Sequence, residues 1–335
     1  MKLLTFRRDG AEHLGALADD GHTVVPLAAA SRARDGRPAP GCGSLPELLQ
    51  AGPAAIDGAA RLVEWARDVP EVTVDLAGVE LLAPVPRPPA LRDAMTFETH
   101  VINSFRKGML RRLASADALL QRALGGRRSL THLLARGFYA QPPYYNASTA
   151  GLVGSGATVR IPDYCTVFDY ELEWAVVIGR EGADIPAATA REHIAGYTIF
   201  NDFSARDEQA KAMRSLLGPG KGKDFDTGNA LGPWLVTPDE LPQPYGLAMS
   251  ARVNGAQWSR ASTGDMHWTF EDVIAHVSRS ETLRVGDVIA SGTAGLGCGL
   301  EHGAFLKPGD VVELEVEGIG VLGNAVAGAR VRARA

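Results

Sequence analysis

The sequence predicts a mixed, β-rich α+β fold, and three observations carry that expectation. Glycine and proline number 38 and 20 in 335 residues, a turn-rich composition that suits many short strands better than a helical bundle. Alternating or unbroken apolar runs dominate after residue 150. Helical patterns do not alternate with strands regularly enough for a doubly wound parallel sheet. At roughly 150 residues per domain the length suggests about two domains. The run Pro84-Val85-Pro86-Arg87-Pro88-Pro89 is stiff and cannot join a ladder. It places a boundary between a small β-rich N-terminal domain, 1–83, and a larger domain, 84–335.

In the first domain, Lys2–Phe6, Leu14–Ala18 and Thr23–Leu27 read as strands. Arg8-Asp9-Gly10 and Asp19-Asp20-Gly21 punctuate them like hairpin turns. Helices are expected near Leu45–Gln50 and Ala59–Arg67. Segment 105–136 is the most basic of the chain, with eight Arg or Lys residues against one acid, Asp117. Leu110, Leu113, Leu120 and Leu124 recur there at helical spacing, which predicts an amphipathic helix or pair. It is either a solvated cationic face or a lid or rim that draws in an anionic substrate.

Further strands are expected at Glu171–Gly179, Gly196–Asn201, Ala248–Val253, Val288–Ser291 and Val311–Glu317. In the last, Val312, Leu314 and Val316 alternate with Glu313, Glu315 and Glu317, so one face is buried and the other wet. Ser204-Ala205-Arg206-Asp207 and Thr269-Phe270-Glu271-Asp272 resemble capping boxes at helix starts. The stretch Leu217–Lys223 fails the phosphate-loop spacing, and Gly292–Gly299 lacks the context of a dinucleotide fingerprint. The latter is expected to be a loop whose backbone passes close to a ligand.

The charge balance is 34 basic against 39 acidic residues, a net −5, which gives no global basic field for nucleic acid. The basic segment also lacks interleaved aromatics. Cys42, Cys165 and Cys298 have no ligand-like spacing and read as reduced thiols of a reducing compartment. No long apolar stretch marks a secretory signal or a membrane span. A soluble, cytoplasmic protein without membrane partners is expected.

Some residues point to chemistry by placement. Glu171 and Glu173, at i and i+2 on one strand, face the same side. Two adjacent carboxylates need either water, as on an exposed edge strand, or a hard divalent cation between them. Asp202 ends the next strand, where side chains project into a cleft. Arg206, Gln209 and Met213 form a stripe on the helix that follows. Asp93 and His100, seven positions apart, would share one side of a helix; a hydrogen-bonded core histidine is the alternative for His100.

Together, RDAMTFETH, PPYYN, DYELEWAVVIG, NDFSARDEQ, LGPGKGKDFDTGNALGPW, SGTAGLGCGLE and LKPGDVVELEVEGIGVLGN resemble the fumarylacetoacetate hydrolase family over most of residues 84–324. The resemblance implies a catalytic domain of rolled mixed β-sheets, a small β-rich N-terminal domain, and commonly a homodimer. It also implies that Asp93, Glu171, Glu173 and Asp202 ligate a divalent metal, Mg²⁺ first and Ca²⁺ or Mn²⁺ as alternatives. His100 matches the general base, Glu301 its orienting carboxylate, and Lys223 a catalytic lysine. Arg206, Gln209, Tyr145 and Thr293 match substrate-binding positions, and Thr227 an outer position around the metal. Met95, Met109 and Met213 stand where fumarylacetoacetate hydrolase itself has two tyrosines and an arginine, so the pocket that reads the substrate differs.

The implied reaction is hydrolysis of a carbon–carbon bond in a 1,3-diketo or acylpyruvate-type acid. Isomerisation, hydration or decarboxylation of a 2-oxo dienoic acid is the alternative on the same cradle. A metal-binding module without activity is the remaining reading. The expected partner is a small anionic keto acid.

Overall fold

The structure, a computed structural model, describes residues 1–108 and 110–329; Met109 lies outside the described residues. Its strand-forming runs assemble into one large mixed sheet, a five-stranded sheet and a two-stranded ladder. The large sheet runs through Val74–Asp75, Thr23–Pro26, Ala11–Leu17, Lys2–Arg8, Asn229–Val236, Ile194–Asp202, Leu172–Ile178, Val288–Ala290, Leu91–Ala94 and Tyr144–Ala147. The five-stranded sheet is ordered Ala256–Ser262, Ala248–Val253, Val311–Val316, Gly320–Ala327 and Thr158–Arg160. This is the β-rich α+β architecture that the composition predicts.

The central strand Leu172–Ile178 is buried along its whole length, between two partners. Its alternate side chains enter two cores. Leu172, Trp174, Val176 and Ile178 pack with residues of the five-stranded sheet such as Ala251 and Leu314. Within that core, Trp174 stacks on Tyr197 at 5.6 Å between centroids and meets Phe270 edge-on at 4.7 Å. Ala175 and Val177 face the other core, among Leu3, Leu48, Phe200 and Leu235.

That second core joins residues on either side of the expected boundary at residue 84. Hydrogen bonding crosses it too: Lys2 pairs with Val236 and Leu3 with Leu235 in one antiparallel ladder. The N-terminal strands therefore extend the large sheet.

Several local expectations change. Asp93 and His100 do not share a helix: Asp93 lies in the Leu91–Ala94 strand and His100 in the Glu98–Lys107 helix. The strand wins because Leu91, Arg92 and Asp93 pair with Val288, Ile289 and Ala290, partners too distant in sequence for local periodicity to reveal. Ser204 does not cap the next helix, which starts at Arg206 without a side-chain cap. Its hydroxyl donates to the Asp202 carbonyl, while Asp207 accepts from Thr166. The Thr269 capping box forms as expected.

Close approach to other backbone accounts for glycines of the Gly292–Gly299 loop: a Cβ on Gly292 would lie 2.1 Å from the Ala94 carbonyl oxygen, and one on Gly299 1.9 Å from that of Ala304. The basic segment folds into short helices, among them Ala114–Leu124 and Leu130–Leu134. Leu110 is buried, but Leu113, Leu120 and Leu124 are exposed, so their stripe is left uncovered among the described residues.

Candidate active site

Neighbouring strands of the large sheet bring four acidic or phenolic side chains together. In register, Asp93 sits beside Ala290 on one side and opposite Tyr145 on the other. Glu173 comes from the central strand, and Asp202 ends the strand antiparallel to it. Carboxylate oxygens of Asp93, Glu173 and Asp202 lie within 4.8 Å of one another, all buried. Such a cluster repels itself.

The cost appears in protonation. Burial first, and the Asp202 charge second, push the Asp93 carboxyl well above its usual range. Burial and then the Asp93 charge do the same to Glu173. Asp93 Oδ1, Glu173 Oε2 and Asp202 Oδ1 are buried without a hydrogen-bond partner among the described residues. Three orphaned carboxylate oxygens converging on one space form a donor set that fits a hard divalent cation.

Glu171 is placed differently from the other three acids. Its Oε2 accepts from Lys223, and its Oε1 lies 2.7 Å from Arg206 Nη2. Burial opposes its charge, yet the fields of Arg206 and Lys223 win and hold its carboxyl below the usual range. Lys223 donates to Glu171, to the Asp202 carboxylate and to the Asp202 carbonyl, the last at 3.1 Å. Tyr145 Oη donates to Asp202 Oδ2 at 2.6 Å, and Thr293 Oγ1 approaches Glu173 Oε1 at 3.4 Å. Arg206 Nη1 donates to Gln209 Oε1 at 3.0 Å. Thr227 spends its hydroxyl on the Arg160 N–H.

A second group sits on the Glu98–Lys107 helix and the short Gly299–His302 helix. His100 Nδ1 lies 3.0 Å from Glu301 Oε2, and Ser104 Oγ 3.2 Å from His100 Nε2. Glu301 Oε1 accepts from Asn103 Nδ2 at 2.8 Å and from the Leu296 N–H at 3.0 Å. Burial would raise the Glu301 carboxyl, but the His100 contact leads the opposing effects and holds it low. An anionic Glu301 fixes the imidazole with its proton on Nδ1 and leaves Nε2 as an acceptor.

The loop from Thr293 to Cys298 spans both groups: Thr293 reaches Glu173, while Cys298 Sγ lies 3.4 Å from Glu301 Oε2.

Asn103, Ser104 and Asp169 escaped the sequence reading. Asn103 and Ser104 follow His100 at helical spacing, a signal that was available. Asp169 continues the alternation of Glu171 and Glu173 backward by one step. It accepts from Arg206 Nε at 2.7 Å and from the Gly299 and Leu300 N–H groups at 2.7 and 3.0 Å. One buried carboxylate thus joins the start of the Glu301 helix to the arginine that holds Glu171.

Comparison with known proteins agrees with this fold. Residues 132–327 match the family model described as fumarylacetoacetate (FAA) hydrolase C-terminal. The chain is 39% identical over 189 residues to a Xenopus laevis protein named oxaloacetate tautomerase fahd2, mitochondrial. That match covers 56% of this chain and 58% of the relative, so the chain spans under two thirds of the length of such relatives. A fumarylacetoacetate hydrolase structure from Exiguobacterium antarcticum is similar at 27% identity and TM-score 0.69, covering 98% of this chain and all of that one. A probable 2-hydroxyhepta-2,4-diene-1,7-dioate isomerase from Mycobacterium abscessus matches at 27% identity and TM-score 0.68, with coverage of 98% and 100%.

Proposed function

The chain belongs to the fumarylacetoacetate hydrolase family, and on that premise we propose that it is a metal-dependent hydrolase cleaving a carbon–carbon bond in an acylpyruvate-type or 1,3-diketo acid. The observation that carries this reading is the His100–Glu301 contact at 3.0 Å, a base and its orienting carboxylate, with Glu301 on the helix that directly follows the loop whose Thr293 touches the acid cluster. Asp93, Glu173 and Asp202 would hold the divalent ion, Mg²⁺ first and Ca²⁺ or Mn²⁺ as alternatives, with Glu171 as the fourth expected ligand. The bound ion would supply Lewis-acid polarisation of the substrate's oxygen atoms.

The chain's own groups account for proton movement. Water gives a proton to His100 Nε2 while its oxygen adds to the substrate carbonyl, and Glu301 stabilises the imidazolium. Gln209 offers its amide N–H₂ to the developing oxyanion, because Oε1 is occupied by Arg206. Lys223 acts through its charge, since Glu171 and Asp202 already take its N–H groups. The carbon–carbon bond then breaks, and His100 returns the proton to the departing enolate carbon. Tyr145 and Thr293 border the substrate on the cluster side. The protein is further proposed to be a cytoplasmic homodimer; among the described residues no helix is long and apolar enough to cross a membrane.

A second reading, tautomerisation or isomerisation of a 2-oxo acid, is favoured by the likeness to the protein named oxaloacetate tautomerase. Proton NMR of the Mg²⁺- or Mn²⁺-loaded chain with acetylpyruvate, fumarylpyruvate and enol-oxaloacetate separates the two. Hydrolysis yields two organic acids. A single rearranged product with no new acid would replace the hydrolase reading by the isomerase one.

A further inference from the structure

The dyad has a third member that the proposed reaction does not use. One imidazole nitrogen of His100, the Cys298 sulfur and a Glu301 carboxylate oxygen lie within 4.8 Å of one another, and all three residues are buried. We propose that His100, Cys298 and Glu301 form a second cation site, selective for a soft divalent ion such as Zn²⁺, whose occupation shuts the dyad off.

Three physical arguments support it. The donor set is nitrogen, sulfur and one oxygen, which favours Zn²⁺, whereas the neighbouring cluster of Asp93, Glu173 and Asp202 offers only oxygen. The spacings fit as well. A tetrahedral site with bonds of about 2.0–2.3 Å has ligand–ligand edges of roughly 3.3–3.7 Å. His100 Nδ1 to Glu301 Oε2 is 3.0 Å and Cys298 Sγ to Glu301 Oε2 is 3.4 Å, so these two edges match within a few tenths of an ångström, and the third, imidazole nitrogen to sulfur, is within 4.8 Å.

Charge closes the case. A thiolate and a carboxylate neutralise the ion's two positive charges inside a buried site, which avoids the penalty of an unpaired interior charge. The exchange balances: the Cys298 thiol proton passes to solvent, the imidazole proton shifts from Nδ1 to Nε2, and the sulfur and Nδ1 lone pairs bind the ion. Asn103 and the Leu296 N–H, both on Glu301 Oε1, orient the carboxylate from outside as such sites require. With a cation on the imidazole, the pair can no longer hold Nε2 ready to accept a proton from water. Zn²⁺ would therefore inhibit without competing for the hard-ion cluster. The inhibition rests on the dyad's proposed role; the binding does not.

The test uses the full chain and Co²⁺ as a spectroscopic substitute for Zn²⁺. A thiolate-to-cobalt charge-transfer band should appear at one equivalent and be abolished by added Zn²⁺. It should persist in Cys42→Ser and Cys165→Ser and vanish in Cys298→Ser. X-ray absorption at the zinc edge of the unsubstituted protein avoids any folding defect of the variant, and should show one sulfur among nitrogen and oxygen ligands. A sulfur-free zinc shell, or a band that survives Cys298→Ser, overturns the site. In a protein loaded with Mn²⁺ that turns over an acylpyruvate, stoichiometric Zn²⁺ should lower kcat at least tenfold and leave bound Mn²⁺ in place. Unchanged kcat with the band present overturns the inhibitory role. No turnover with any metal while the band still forms counts against the hydrolase reading alone.

Discussion

Asp93, Glu173 and Asp202 share a buried space in which each carboxylate raises the cost of ionising the others. A cation removes that cost, so chelation should restore it. EDTA is expected to lower the melting temperature of the full chain, and Mn²⁺ or Mg²⁺ to raise it again. Asp93→Asn keeps the shape and deletes one charge. In EDTA it should melt about 1–2 °C higher than the unsubstituted protein, the shift expected for roughly 1 kcal/mol in a chain of this size. It should also lose the metal-induced rise. Calorimetry with and without chelator reads both, and an Asp93→Asn protein that melts lower in EDTA would refute mutual repulsion.

His100 makes the complementary case. Removing a positioned general base costs about 10²–10⁴-fold in turnover, while the acid cluster is left whole. His100→Ala should therefore lose that much kcat yet bind Mn²⁺ with near-normal affinity. Full activity in this variant would show that another group moves the proton. At this scale the sequence was legible where position along a strand sets direction: Glu173 lies on the central strand and Asp202 ends its neighbour. It was opaque where a contact bridges distant segments. The Asp169 link to Gly299 and Arg206, and the choice of Lys223 and Arg206 over the shared cluster by Glu171, depend on which strands become neighbours.

The helical segment after His100 is held by one carboxylate. Asp117 is buried and accepts from the Thr131 N–H at 2.9 Å, from Arg106 Nε at 2.9 Å and from the Thr131 hydroxyl. Burial works against its charge, but these donors prevail and bring its pKa from 3.8 to about 2. The sign follows from linkage: a folded-state pKa below the unfolded one gives stability that is fully present above about pH 4. That contribution is lost as pH falls through about 2. At about 1.4 kcal/mol per unit it is worth about 2 kcal/mol. Urea titrations should place Asp117→Asn below the unsubstituted protein by up to that amount at pH 6, with the gap closing toward pH 2. A gap that stays constant with pH would assign the loss to packing instead of charge. The segment also shows why helical periodicity can mislead. Leu113, Leu120 and Leu124 have the spacing of a buried stripe but are 41–52% exposed, because spacing specifies a face and not what covers it. Strands such as Val311–Val316 were easier to read, since alternation with glutamate labels both faces.

Across the whole molecule, the large sheet ties the first 83 residues to the acid cluster. Lys2–Arg8 pairs with Asn229–Val236, which pairs with the strand ending in Asp202. Leu3, Leu14 and Val25 share a core with Ala175, Val177, Phe200 and Leu231, on the face of the central strand that Glu173 begins. The proline run was visible in sequence, but the register linking Leu3 to Leu235 was not, because it depends on a pairing more than two hundred residues away. A shared core and ladder imply one cooperative unit. Fluorescence and far-ultraviolet circular dichroism should report a single coincident urea transition for the full chain. A fragment of residues 84–335 would expose the apolar underside of Phe200, Leu231 and Leu235 together with an unpaired strand end at Leu235–Val236, which invites aggregation. It should therefore fail to give a soluble species that binds Mn²⁺. Recovery of a folded, Mn²⁺-binding fragment would show instead that the cluster is assembled by residues after Pro84 alone.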